Sequence, residues 1–217
     1  MNFHTGPSLA PVTFAVGDLA VTKVSVGEMD NNAYLIAPPR GQVVLIDAAA
    51  DLDRLMQVIA DRDLGMVVTT HQHHDHIGAL ARILAITGAR GFCGTPDVGG
   101  IAEQTGVGLN GVWDGETLIC GAIRLEVIGL VGHTPGSIAL VLRPPHNPVH
   151  LFGGDCLFPG GVGKTWSADD FTSLLFDVEK KIFDCFPDDT IIHPGHGDAT
   201  TLGAERESLP QWRERGW

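Results

Sequence analysis

No CxxC pair occurs in the 217 residues; Cys93, Cys120, Cys156 and Cys185 stand singly. That removes any paired-thiol motif and reads as four free thiols in a reducing cytoplasm. No segment approaches the ~18 uninterrupted apolar residues of a membrane span. The start lacks a basic stretch followed by an apolar one, so no signal peptide is expected. Basic residues are also scarce: 14 Lys and Arg against 26 Asp and Glu, a formal charge of −12. A nucleic-acid-binding surface needs clustered Lys and Arg, so that class is excluded. Repeats, low-complexity tracts and linkers are absent too, and the length suits one domain, residues 1–217. Only the opening stretch 1–11, with its Pro and Gly, reads as irregular.

What is present is a series of short apolar runs. Residues 21–26, 33–37 and 43–47 read as strands, with turns at Asn31-Asn32 and Pro38-Pro39-Arg40-Gly41. Leu52, Leu55, Met56 and Ile59 fall on one face of a helix over 51–62. A strand over 66–70 is followed by a helix over 77–87, which Gly88 stops. The second half predicts a hairpin of 117–120 and 123–128 around Gly121, strands at 137–142, 149–152 and 190–193, and helices at 169–183 and 200–208. Strands in both halves, with helices between and outside them, predict two packed sheets covered by helices.

Four histidines and an aspartate lie within six residues, His71, His73, His74, Asp75 and His76, directly after an apolar strand. Imidazole and carboxylate suit zinc and neighbouring metals. In an extended segment His71 and His73 point to one side, and the following turn can present Asp75 and His76 to a second point. The spacing therefore suits two adjacent metals. Three further segments bring a ligand type next to glycine at the edge of an apolar run: Gly132-His133-Thr134-Pro135-Gly136, Gly153-Gly154-Asp155 and His193-Pro194-Gly195-His196-Gly197.

With these segments the chain resembles the metallo-β-lactamase superfamily, over roughly residues 21–208. The family's HxHxDH motif stands as His71-Gln72-His73-His74-Asp75-His76, and its later His, bridging Asp and final His match His133, Asp155 and His196. The resemblance implies an α+β fold, an αββα four-layer sandwich. It implies two divalent metal ions, zinc first, with iron or manganese also accepted. One is held by His71, His73 and His133, the other by Asp75, His76 and His196, and Asp155 is shared. His74 is expected to face away, His193 to end a strand, and Asp47 to lie beside the site without binding metal.

Two close metals can activate a shared hydroxide and polarise a carbonyl, with Asp75 and Asp155 as the carboxylates beside it. No GxSxG elbow supplies a serine nucleophile, and Phe158 stands where a Walker A loop ending at Gly163-Lys164-Thr165 needs glycine. Asp155-Cys156-Leu157-Phe158-Pro159-Gly160-Gly161-Val162-Gly163-Lys164-Thr165-Trp166 is similar to the segment after the bridging Asp in glyoxalase II-like thioester hydrolases. The resemblance implies a small-molecule thioester substrate, contacted by Lys164 and Trp166. About twenty residues follow His196, so the helical C-terminal substrate domain of the longer glyoxalase II-like enzymes is not expected here. The ending resembles the short bacterial members. The same resemblance leaves a mononuclear iron persulfide dioxygenase and a lactonase as competing readings.

Overall fold

The structure, a computed structural model, describes residues 3–6, 8–146 and 148–216. Seven strands form the first sheet in chain order: β1 (Val12–Val16), β2 (Leu19–Val26), β3 (Asn31–Ala37), β4 (Val43–Ile46), β5 (Leu64–Thr69), β6 (Arg90–Gly94) and β7 (Asn110–Val112). The first four pair antiparallel through tight turns. From β4 onward the pairing is parallel, because helices α1 (Leu52–Ile59), α2 (Leu80–Thr87) and α3 (Val98–Thr105) carry each crossover.

The second half begins with β8 (Thr117–Cys120), β9 (Ile123–Gly129), β10 (Ile138–Leu142) and β11 (His150–Gly154), then a small hairpin, β12 (Leu157–Phe158) with β13 (Gly161–Val162). Helix α4 (Ala168–Asp177) runs into a π-helical turn, Val178–Phe183, and leads to β14 (Ile191–Pro194), β15 (Thr200–Thr201), α5 (Leu202–Arg206) and α6 (Leu209–Arg215). The second sheet has the order β15-β14-β11-β10-β9-β8, with β11 and β14 parallel. No helix among the described residues is long and apolar enough to cross a membrane.

Strand alternation builds the layers. Side chains two residues apart share a face of a strand. On β3, Ala33, Leu35 and Ala37 face α1, α2 and α3, where they meet Leu55, Ile59, Leu80, Ile83 and Ile101. Tyr34 and Ile36 face the other way, into an inner core with Leu125, Leu140 and Phe152 of the second sheet. That sheet's outer face packs Val141, Leu151 and Ile192 on Leu174, Val178, Leu202 and Trp212 of the C-terminal helices. Three apolar layers between four layers of secondary structure give the αββα sandwich. Cutting a buried leucine of any layer to alanine removes about 2–5 kcal/mol.

Several elements differ from expectation. Asn31 and Asn32 are not a turn; they are the buried first residues of β3, and the turn lies over 27–30. The 77–87 helix starts only at Leu80, after a single 3-10 turn, His74–His76. The 200–208 segment divides, since Thr200–Thr201 pairs with β14 before α5 begins. The strand expectations omit β1, β6, β7 and the β12–β13 hairpin, and the helix expectations omit α3 and α6. β6 reads Arg-Gly-Phe-Cys-Gly and α3 contains Gly99-Gly100, and glycine weakens both kinds of element. Of the irregular opening stretch, Met1, Asn2 and Pro7 lie outside the described residues, and its last described residues lead straight into β1.

Candidate metal centre

The carboxyl ends of β4, β5, β11 and β14 open onto one edge of the sandwich, and the polar residues gather there. All seven expected ligands converge. Three groups of donor atoms each lie within 4.8 Å of one another: His71, His73 and His133; His71, His76 and Asp155; Asp75, His76 and His196. His71 and His133 approach through their Nε2 atoms at 3.3 Å, and so do His76 and His196. Asp155 reaches both sides, with Oδ1 3.4 Å from His76 Nε2 and Oδ2 3.7 Å from His133 Nε2 and 3.4 Å from His196 Nε2.

The outward nitrogens are anchored. His76 Nδ1 donates to Asp47 Oδ2 at 2.9 Å, His133 Nδ1 to the Lys164 carbonyl at 2.6 Å, and His196 Nδ1 to the Met29 carbonyl at 2.9 Å. His71 Nδ1 lies 3.1 Å from Thr70 Oγ1, whose own hydroxyl donates to Asp47 Oδ2 at 2.8 Å. Each acceptor holds the ring proton on Nδ1 and leaves the Nε2 lone pair facing inward, the tautomer a metal needs. The inward lone pairs of His71 and His133, facing each other at 3.3 Å, repel unless a cation lies between them.

Charge at the site asks for the same thing. Burial, reinforced by neighbouring imidazoles, holds His71 well below its usual range and His73 at about 4; burial also lowers His133. Burial would lower His76 as well, but Asp47 and Asp155 overcome it and raise it to about 10. Asp155 and Asp75 raise His196 to about 10 against the same penalty. Burial opposes ionisation of both carboxylates, yet His196 with Asn31 holds Asp75, and His196 with His76 holds Asp155, well below the usual carboxylate range. Asp155 Oδ1 is buried and makes no hydrogen bond. Two ionised carboxylates among imidazoles, with a spare carboxylate oxygen between them, fit divalent metals, which replace the ligand protons.

Glycine makes the convergence possible. A Cβ on Gly195 would run into Asp155 Oδ1 and His76 Cε1, so only glycine lets the His196 loop pass so close. Asp47, at φ +57°, stands just past β4 in the left-handed region. From there its carboxylate takes Thr70 N–H at 2.7 Å together with the Thr70 hydroxyl and His76. Strain of this kind is often concentrated at functional sites.

Of the remaining sequence candidates, His74 is exposed at 81% of its side chain and points away. His193 is buried in the inner core, where its Nε2 pairs with His150 Nδ1 at 2.8 Å. Lys164 lays its ammonium 4.5 Å from the centre of the Trp166 ring. Trp166 is exposed, with its ring 6.2 Å from that of His73. Sequence reasoning missed Asn31, whose Nδ2 donates to Asp75 Oδ2 at 2.8 Å, and Asn32, which donates to the Pro194 and Gly197 carbonyls at 2.9 Å each. It also missed Asp97, bound to Gln72 and Gly136. The usable signal was polar residues at the ends of apolar runs.

Comparison with known proteins agrees with this geometry. The family model described as Metallo-beta-lactamase superfamily matches residues 26–199. Hydroxyacylglutathione hydrolase GloC from Haemophilus influenzae is 31% identical over 208 residues, covering 86% of this chain and 95% of that protein. The BLEG-1 B3 metallo-beta-lactamase crystal structure superposes with a TM-score of 0.75 at 25% identity, over 88% of this chain and 99% of that one. The structure of TTHA1623 in a di-iron-bound form gives 0.67 at 28% identity, over 87% and 98%. The chain therefore belongs to the metallo-β-lactamase superfamily, among its hydrolases.

Proposed function

We propose that this protein is a dinuclear metal-dependent hydrolase of small thioesters, S-2-hydroxyacyl adducts of a low-molecular-weight thiol, acting as a single domain. The observation that carries the reading is the overlap of the three donor groups: His71 and His76 each belong to two of them, and Asp155 reaches toward both sides. His71, His73 and His133 would hold one metal, Asp75, His76 and His196 the other, and Asp155 both, with zinc the first choice. Bound metals would supply Lewis acidity, lowering the pKa of water and polarising the thioester carbonyl.

The chain's own residues do the rest. Asp47 orients His76 and steadies Thr70 beside His71. Asp75 and Asp155, both ionised, keep anionic charge next to the attacking water and hold it near the carbonyl. The Lys164 carbonyl ties the 163–166 segment to His133, so substrate gripped by Lys164 and Trp166 would lie beside the first trio. A carboxylate on the thiol carrier would meet the Lys164 ammonium. The GloC likeness supports the thioester class.

The test is metal analysis of reconstituted protein together with a panel of thioester, lactone and persulfide substrates. Two metal equivalents and thioester turnover are expected. No thioester hydrolysis in fully metallated protein would sink the reading. Stoichiometric oxygen uptake with a persulfide would move it to the mononuclear iron dioxygenase.

A further inference from the structure

We propose that Asp97 is the positioning residue for the first ligand trio, holding the two chain segments that carry His71, His73 and His133 in one register. This rests on the two-centre reading above. Asp97 ends a short 3-10 turn after β6 and opens α3. It is fully buried and makes no ion pair among the described residues. A buried carboxylate without a counter-charge is costly unless hydrogen bonds hold it. Three do. Oδ2 accepts the Gln72 N–H at 2.9 Å and the Thr134 hydroxyl at 2.6 Å, and Oδ1 accepts the Gly136 N–H at 2.7 Å.

The partners are what make the contact specific. Gln72 lies between His71 and His73, and Thr134 directly follows His133. The two segments leave different sheets, one after β5 and one between β9 and β10, so their spacing depends on cross-links. Asp97 bridges them through its three bonds, one to the first segment and two to the second, beside the Ile138 N–H to Thr70 carbonyl bond at 2.9 Å. Helix α3 adds a second arm, since Gln104 Nε2 donates to the Gln72 carbonyl at 2.8 Å. The seat is close: a Cβ on Gly100 would strike the Gln72 side chain, and one on Gly136 would strike Asp97. Asp97 shares no hydrogen bond with Asp75, His76 or His196, so its effect belongs to one half of the centre.

Asp97→Asn keeps one acceptor oxygen and replaces the other with an NH2 group, so either the Gln72 or the Gly136 N–H loses its acceptor. Thr134→Val removes one bond of the three and keeps the shape. Each full-length variant is stripped and titrated with Zn(II) against a chromophoric chelator beside the wild type, and the metal-free proteins are melted. Asp97→Asn is expected to weaken one zinc equivalent by about 10–100-fold and leave the other within about twofold. Thr134→Val should shift the same equivalent severalfold, which keeps the test open if Asp97→Asn does not fold. A loss shared equally by both equivalents, with a lower melting temperature, marks a merely structural role and overturns the proposal. No change in either variant overturns it as well. Should the wild type bind a single equivalent, the two-centre reading falls, and Asp97 stands or falls on whether that equivalent weakens.

Discussion

His193 and His196 are three residues apart, yet their surroundings drive them to opposite chemistry. His196 lies between Asp75 and Asp155, which raise it to about 10, with its Nδ1 pinned to the Met29 carbonyl. His193 turns into the inner core, stacked on Phe14 and Phe152 at 5.2 and 4.9 Å, with His150 as its hydrogen-bond partner among the described residues. No carboxylate among the described residues reaches that pair. Burial holds His150 at about 4, and burial with His150 holds His193 well below its usual range. His193 Nδ1 has no hydrogen-bond partner, which is tolerable as a lone pair and costly as an N–H. The ring proton therefore sits on Nε2 and donates to His150. A buried histidine becomes a candidate ligand when carboxylates and anchored Nδ1 atoms surround it; aromatic packing makes it a neutral spacer.

The sharpest break of this contrast is Asp155→Ala. On the two-metal reading, removing the carboxylate that reaches both sides of the site should lower zinc from two equivalents to well under one, as measured by elemental analysis. The drop in kcat/KM should exceed the ~10–100-fold that outer-shell changes cost. A variant with two zinc equivalents and normal turnover would refute the shared role. Asp47→Asn is milder. It leaves the ligands but loosens His76 and Thr70, so zinc affinity should fall about 10–100-fold in a chelator competition. Unchanged affinity would mean that Asp47 serves only the strand end.

The core pair is tested by pH. Both rings have folded pKa values below the unfolded value of about 6.5. The unfolded chain thus binds more protons in acid, and the pair's stability is fully present above about pH 6.5. It is lost as pH falls toward about 4, at up to ~1.4 kcal/mol per pH unit for each ring. With chelator present, the melting temperature of the double variant His150→Leu/His193→Phe should depend less steeply on pH between 6.5 and 4.5 than that of the wild type. Its zinc stoichiometry should stay at two; parallel pH curves, or lost zinc, would erase the distinction drawn here. The smallest effect belongs to Lys164→Ala. An exposed charge contact is worth about 0.2–1 kcal/mol, so KM for an anionic thioester should rise severalfold at most, with kcat nearly unchanged. A fall in kcat at constant KM would place Lys164 at the reacting atoms.

The sequence alone marked the candidate ligands that converge at the site, and the layers. Four candidate donors of one tight turn are adjacent in the chain, so local spacing was enough to find them; His133, Asp155 and His196 each stand beside glycine at a strand edge and were singled out by the family resemblance. The 3.6- and 2-residue apolar periods likewise marked most helices and central strands, because burial repeats along the element. Tertiary structure decided what has no local period. Nothing near Asp97 announces that its partners are Gln72, Thr134 and Gly136. Asn31 and Asn32 read as a turn until β2 and β14 came to lie beside them. His193 and His196 differ only in whether carboxylates or phenyl rings close over them, because a histidine's proton affinity is set by the dielectric and charge of neighbours distant in sequence.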